Sequence, residues 1–267
     1  KNGTGTLTLA GNTPKAIGGT LTVNGGTLTV RDGSGGIGLQ SGSTVVQTGG
    51  RLNIVSSVTS GAVTVQNKGT VRLDNAASKL TAAVVLVNGG GTLSGTGLVQ
   101  STGALHVAAD GILAPEAKLT VAALGGVTLA DGAQFVVTLW GDGTGDIALN
   151  NSLLYVQDGE VHIEPDAMLR VTILHGFEPS IADIYTIIKS EQEITGMFPD
   201  QVLSNTMYRF DVVKTDMHTI ALMNAKAIVP EPGTYALCQA VGVLALAVLA
   251  KRRRSKCSGQ TESKKSS

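Results

Sequence analysis

The chain has 267 residues and a formal net charge of zero, with 35 glycines, 15% charged residues and only 3% aromatic residues. A globular α/β enzyme usually carries more charge and more aromatic bulk, and a hydrophobic content of 42% excludes disorder over most of the length. The composition therefore predicts a fold of thin aliphatic strands joined by glycine turns.

The zero net charge conceals an acidic body and a basic tail. Residues 251–267 hold seven Lys or Arg and one acid, whereas residues 1–250 hold 13 basic and 19 acidic residues, a net charge of −6. The body has no basic stripe, and we expect no nucleic-acid binding. Because the sequence begins at Lys1 inside a repetitive pattern, we interpret it as a fragment with any secretory signal upstream.

A short motif recurs through the first half of the chain. GGTLTV occurs at 18–23 and 25–30, and GGRLNI, KGTVRL and GGTLSG follow at 49–54, 68–73 and 90–95. Leucine and valine alternate with threonine, the period-2 pattern of a half-buried strand. Strands of four or five residues bury too little apolar surface to persist alone, so the copies are expected to stack.

The glycine spacing sets the length of each stacked unit. Gly26, Gly50, Gly69 and Gly91 recur at intervals of about 19–24 residues, which is typical of the repeats of a solenoid. A unit of this length suits a parallel β-solenoid with short strands and tight corners. We therefore predict β-solenoid repeats over residues 1–137.

From residue 138 the sequence changes in character. A Gly/Asp-rich loop is followed by longer strand candidates and by most of the aromatic residues, and the last candidates, YRFDVV and HTIALM, read as a hairpin. A segment that covers the open end of a solenoid should differ from the repeats. We predict a β-rich closing region over residues 138–226.

The C-terminal segment differs from the body in composition. A proline-containing linker, 227–235, precedes the uncharged run 236–250, and the basic tail 251–267 begins directly after it. Counted from Gly233, the uncharged stretch is long enough for a membrane-spanning helix. The cluster Lys251, Arg252, Arg253 and Arg254 is expected to remain in the cytoplasm, which places the body outside.

The tail resembles the PEP-CTERM sorting signal of exported Gram-negative proteins. The resemblance is carried by Pro230, Glu231 and Pro232, the single apolar segment and the arginine cluster, in that order and at the C-terminus. It implies recognition and cleavage by an exosortase-type processing enzyme near the Pro-Glu-Pro motif. The membrane anchor would then be transient, and the product would be released or held at the cell surface.

The body is similar to the autotransporter-associated β-strand repeat of passenger domains. KNGTGTLTLAGN at 1–12 and GGTLTVNGGTLTV at 18–30 carry the resemblance, and we expect the sorting tail to take the place of the membrane β-barrel that ends an autotransporter. It implies a right-handed parallel β-helix exposed at the cell surface. The expected fold is therefore all-β, a right-handed parallel β-helix with a β-rich closing region and one C-terminal apolar helix.

No residue pattern points to catalysis. The histidines are far apart, no GxSxG elbow occurs, and both cysteines, Cys238 and Cys257, belong to the tail. Asp142 and Asp146 in GDGTGD, joined by Asp131, are weak calcium candidates, but the loop lacks the distal glutamate of an EF-hand and a plain turn is the favoured interpretation. No cofactor and no enzymatic activity are expected.

Two functions of different kinds remain open from the sequence. One is a non-enzymatic, adhesin-like structural protein of the cell envelope, with exopolysaccharide or host glycans as partners. The alternative is a fragment of a polysaccharide-acting β-helix protein whose catalytic part lies upstream of Lys1. Paired carboxylates on one solenoid face would be the signature of the second, and we expect no such pair within residues 1–109, where Asp32 and Asp74 are the only acids.

Overall fold

The computed structural model describes residues 1–11, 13, 15–31, 38–140, 151–174, 177–199, 203–204 and 208–228. Within these residues every regular element is a β-strand. The chain divides into two compact units, Lys1–Lys226 and Ala227–Ser267. The first unit contains the repeats and is an all-β solenoid, as the glycine and leucine spacing predicted.

The strands vary widely in length. In chain order they are β1 (Thr6–Leu9), β2 (Lys15–Asn24), β3 (Thr27–Val30), β4 (Leu39–Gln47), β5 (Arg51–Ile54), β6 (Ser57–Val65), β7 (Thr70–Val87), β8 (Thr92–Ser101), β9 (Leu105–Val107), β10 (Ile112–Ala123), β11 (Val127–Leu129), β12 (Gln134–Leu139), β13 (Leu153–Asp158), β14 (Val161–Ile163), β15 (Met168–Ile173), β16 (Tyr185–Ser190), β17 (Ile194–Gly196), β18 (Leu203–Ser204), β19 (Tyr208–Asp216) and β20 (Thr219–Ala227).

Parallel pairing stacks these strands into three faces. The first face is formed by β1, β3, β5, the first part of β7, of β8 and of β10, then β12, β15 and β18. The second face holds the first part of β2, β4 and β6, the middle of β7, the ends of β8 and β10, then β13 and β16. The third face holds the last part of β2, β4, β6 and β7, then β9, β11, β14 and β17.

The length of one turn follows from the residues paired on the first face. Register partners succeed one another there in the order Thr6, Thr27, Arg51, Thr70, Thr92, Ile112 and Gln134. Each of these six steps covers about 19–24 residues, which confirms the predicted solenoid period. Beyond Gln134 the step lengthens to roughly 33–34 residues, still within the range of solenoid repeats. Six regular turns are thus followed by longer turns, which the repeat motif does not predict.

The aliphatic residues of the motif form one continuous core. Leu28, Leu52, Val71, Leu93 and Leu113 stack in register on the first face and are all buried. Threonines at alternate positions point outward, as the alternation predicted. Each buried leucine contributes about 1.5–3 kcal/mol, so the stack rather than any single strand supplies the stability.

Strands run through the corner between the second and third faces without a break. The sequence predicted strands of four or five residues, but β4 and β6 are longer because they bend at Gly42 and Gly61 and continue to pair. A Cβ on Gly61 would lie 2.2 Å from the Gly42 carbonyl oxygen. Only a residue without a side chain allows the two turns to approach so closely.

The last strands close the solenoid with a change of direction. β20 pairs antiparallel with β16, and β19 pairs with β20 after a short turn at Met217–His218, as predicted for a hairpin. The core here is aromatic, because the Tyr185 ring forms T-shaped contacts with Phe177 and Phe210 at centroid distances of 6.2 and 6.5 Å. An antiparallel strand ends the parallel stack and covers its edge.

The predicted membrane segment 236–250 lies outside the described residues. Within the described part of the chain, no helix is long and apolar enough to cross a bilayer.

Candidate functional site

Most site residues predicted from the sequence fall outside the described ranges. These are the sorting motif Pro230, Glu231 and Pro232, the cluster Lys251, Arg252, Arg253 and Arg254, and the calcium candidates Asp142 and Asp146. Of the calcium group only Asp131 is described, and its Oδ1 accepts the backbone N–H of Asp166 at 2.9 Å. Among the described residues, no group of three potential metal ligands converges.

The described histidines are held in separate places. His162 Nδ1 lies 2.8 Å from the Thr195 hydroxyl, and His218 Nδ1 donates to the Gln192 carbonyl oxygen at 3.0 Å. His106 occupies the outward position of β9, paired in register with Thr128. The structure therefore brings none of these three histidines together.

The first face carries a charged cluster that the sequence did not reveal. Arg72 on β7 donates through Nε and Nη2 to the two carboxylate oxygens of Glu116, at 2.6 and 2.5 Å, and through Nη1 to Asp74 at 2.5 Å. The arginine reaches across Ser94, its partner on the intervening strand. Bidentate pairing of this kind fixes the orientation of the Glu116 carboxylate, whereas Asp74 accepts a single bond.

The two carboxylates favour the charged form of the arginine. Hydrogen bonds to Glu116 raise the pKa of Arg72, and they outweigh the partial burial that would lower it. All three side chains remain about a third exposed, with side-chain exposures of 28%, 34% and 43% for Arg72, Asp74 and Glu116. The cluster is therefore a set of solvent-screened ion pairs that spans three successive turns.

We expect the substitution Arg72→Met to lower the free energy of unfolding by about 1 kcal/mol or less, because exposed ion pairs contribute little. The loss should shrink at high salt, which screens the carboxylates. The matched control is Arg51→Met on the same face, since Arg51 bonds the neutral Asn53 at 2.6 Å. Urea unfolding at low and high salt measures the free energy of unfolding of both variants. An equal salt dependence in the two variants would contradict the assignment of Arg72 to a charged cluster.

A second polar group lies on the second face. The Tyr155 hydroxyl donates to Glu191 at 2.5 Å, one turn further along, and the Lys118 Nζ lies 4.3 Å from the centre of the tyrosine ring. The three side chains come from β10, β13 and the turn after β16. They link three successive turns on the outer surface.

An open groove of about 360 Å³ adjoins this group at the corner between the second and third faces. It is lined by Leu124, Gly125 and Gly126 of one turn, Gly159 and Glu160 of the next, and Gln192 of the third. Its glycines are required by packing, because a Cβ on Gly159 would lie 2.1 Å from the Ala123 carbonyl oxygen. The groove is therefore a by-product of close turn-to-turn contact at this corner.

We expect the pKa of Tyr155 to fall toward its usual value of about 10 in Glu191→Gln. The hydrogen bond to Glu191 raises this pKa, with further contributions from burial and from the glutamate charge. Any stability from the pair is therefore present below the usual tyrosine pKa and is lost as pH rises through the raised one. Phenolate absorbance measures the titration after subtraction of the Tyr155→Phe curve, and superimposable wild-type and Glu191→Gln curves would refute the coupling.

No protein-family model matches the chain, and no curated protein has a significantly similar sequence. Its function is therefore inferred from the fold, the surface residues and the motifs of the tail.

Proposed function

We propose that the chain is part of an exported, non-enzymatic structural or adhesin-like protein of a Gram-negative cell surface. The observation that supports this proposal most directly is the stack of regular turns, with an aliphatic core and outward threonine rows. Contacts between successive turns stabilise such a stack, so its long outer surface is available for other molecules. We propose that the helix is right-handed, as in the passenger domains that the body resembles.

The tail would deliver this body to the surface. In this proposal the apolar run 236–250 anchors the chain transiently in the inner membrane, and Lys251–Arg254 stay in the cytoplasm. An exosortase-type enzyme would then cut near Pro230–Pro232. Exopolysaccharide or host glycans are the proposed partners, because the outward threonine hydroxyls recur along the repeats and offer many similar hydrogen-bonding groups.

The C-terminus of the mature protein tests the sorting step. Intact mass and terminal peptide mapping of surface and inner-membrane fractions from the native host should find a product that ends near Val229–Pro232 in the surface fraction. An intact chain that ends at Ser267 and remains in the inner membrane would refute delivery to the surface and indicate a simple anchor.

The cluster around Arg72 favours a second candidate, a polysaccharide-acting β-helix protein with its main catalytic part upstream. Asp74 and Glu116 converge on one solenoid face beside a cation, which is the kind of arrangement such sites need. In this chain both carboxylates are engaged by the arginine. Polysaccharide turnover by a longer protein but not by this chain would support the second candidate, and glycan binding without turnover would support the first.

A further inference from the structure

A rigid turn at the closing end of the solenoid presents two isoleucines to solvent. The turn Ser180–Asp183 precedes β16, and its Ser180 N–H donates to the Asp183 carboxylate at 2.7 Å, while the Asp183 N–H donates back to the Ser180 carbonyl at 3.1 Å. Ile181 is 62% exposed and Ile184 is 46% exposed. Full burial of a side chain of this size contributes about 1.5–3 kcal/mol, and each isoleucine forgoes the part of this that corresponds to its exposed surface.

The buried residue Tyr185 supports this turn. The Tyr185 hydroxyl donates to the same Asp183 carboxylate at 2.6 Å, and the Tyr185 ring is fully buried against Phe177. Pro179, within the same loop, is buried as well. Three hydrogen bonds and a buried aromatic ring therefore support the turn beside which Ile181 and Ile184 are exposed.

The direction of β20 relates this turn to the tail. Tyr185 pairs with Leu222 and Lys189 with Thr219, so β20 runs antiparallel to β16 and toward its beginning. It continues past Leu222 to Ala227. The C-terminal end of β20 therefore lies on the same side of the solenoid as the turn Ser180–Asp183, which precedes β16.

Only a short linker separates this exit from the apolar segment. Seven residues, 229–235, lie between Ile228 and the run 236–250. Seven residues span at most about 25 Å when fully extended. If the run is inserted in a bilayer, the end of β20 must lie within that distance of the lipid headgroups.

We propose that Ile181 and Ile184 contact the lipid surface while the apolar run is inserted. This inference rests on the proposed membrane anchor and adds a second, shallow contact made by the solenoid itself. Two side chains alone would bind a bilayer weakly, but tethering raises the local concentration of lipid so that a weak contact is occupied. The contact would orient the closing end of the solenoid toward the membrane and hold the linker close to the bilayer.

Site-specific fluorescence in liposomes tests the contact. The full chain, with Cys238→Ser and Cys257→Ser, carries one environment-sensitive probe on Ile181→Cys, Ile184→Cys or Leu244→Cys, and the vesicles contain brominated phosphatidylglycerol and phosphatidylethanolamine. Probes at 181, 184 and 244 should be quenched by the brominated lipid. The control, Thr59→Cys on an exposed position of β6, should show no quenching.

Each other outcome overturns the contact in a distinguishable way. Quenching at 244 but not at 181 or 184 would leave the anchor intact and refute the contact. Loss of quenching at all three positions would refute the anchor and the contact together. A blue shift at 181 that depends on protein concentration and is insensitive to brominated lipid would assign the turn to a second copy of the chain instead.

Discussion

The substitution Gly95→Ala should lower the free energy of unfolding by about 3–5 kcal/mol, a loss at the upper end of the range for single substitutions. Gly95 is buried in β8 and has a φ of +109°, which strains any residue with a side chain. An added Cβ would lie 1.9 Å from the Leu73 carbonyl oxygen of the preceding turn. The methyl group can fit only if two stacked turns separate.

The matched control is Gly89→Ala, in the tight turn that precedes β8. A Cβ at Gly89 would meet only the Ala109 carbonyl oxygen, at 3.6 Å, and we expect a change within about 0.5 kcal/mol. Urea unfolding followed by circular dichroism compares the two midpoints. Similar midpoints for both variants would show that the turns are not packed as closely as the Gly95 contact requires.

The substitution Tyr185→Ala should cost about 3–5 kcal/mol, because it empties a fully buried aromatic site. Its ring joins Phe177 to Phe210, and its hydroxyl holds Asp183. The loss should be confined to the closing end, so hydrogen exchange should rise in β16, β19 and β20 and remain low in β3 to β8.

The conservative variant Tyr185→Phe separates the two roles of the ring and the hydroxyl. It keeps the aromatic contacts and removes one hydrogen bond to a charged acceptor, which contributes about 1.5–3 kcal/mol. We expect a loss smaller than that of Tyr185→Ala. Equal losses would mean that the hydroxyl, and not the aromatic packing, supports the closing end.

The length of one turn and the residues of the core could be predicted because both follow from a short sequence motif that recurs. A glycine turn followed by Leu-Thr-Val specifies one rung, and its recurrence at nearly even intervals specifies the stacking. The continuous strands through Gly42 and Gly61 were missed, since a bend that preserves pairing resembles a turn in sequence. The longer turns beyond Gln134 were also missed, because they lack the motif.

The surface clusters could not be predicted because they depend on register between turns. Arg72 and Glu116 are 44 residues apart, and Tyr155 and Glu191 are 36 apart. Neither separation stands out in a sequence until the turn lengths are known. A one-residue change in any intervening turn would move these partners to different positions or faces. The predicted sorting motif and the calcium candidates Asp142 and Asp146 lie outside the described residues and stay predictions.

The parallel stacking determines how the solenoid should respond to tension. Hydrogen bonds between successive turns lie along the solenoid axis. A force that pulls the two ends apart therefore loads the bonds of one turn at a time rather than those of all turns together. A regular turn would release roughly 60–85 Å of extended chain, and one of the longer turns beyond Gln134 roughly 110–120 Å. A stretched molecule would therefore lengthen in discrete steps of two sizes, which would make it an extensible tether rather than a stiff rod.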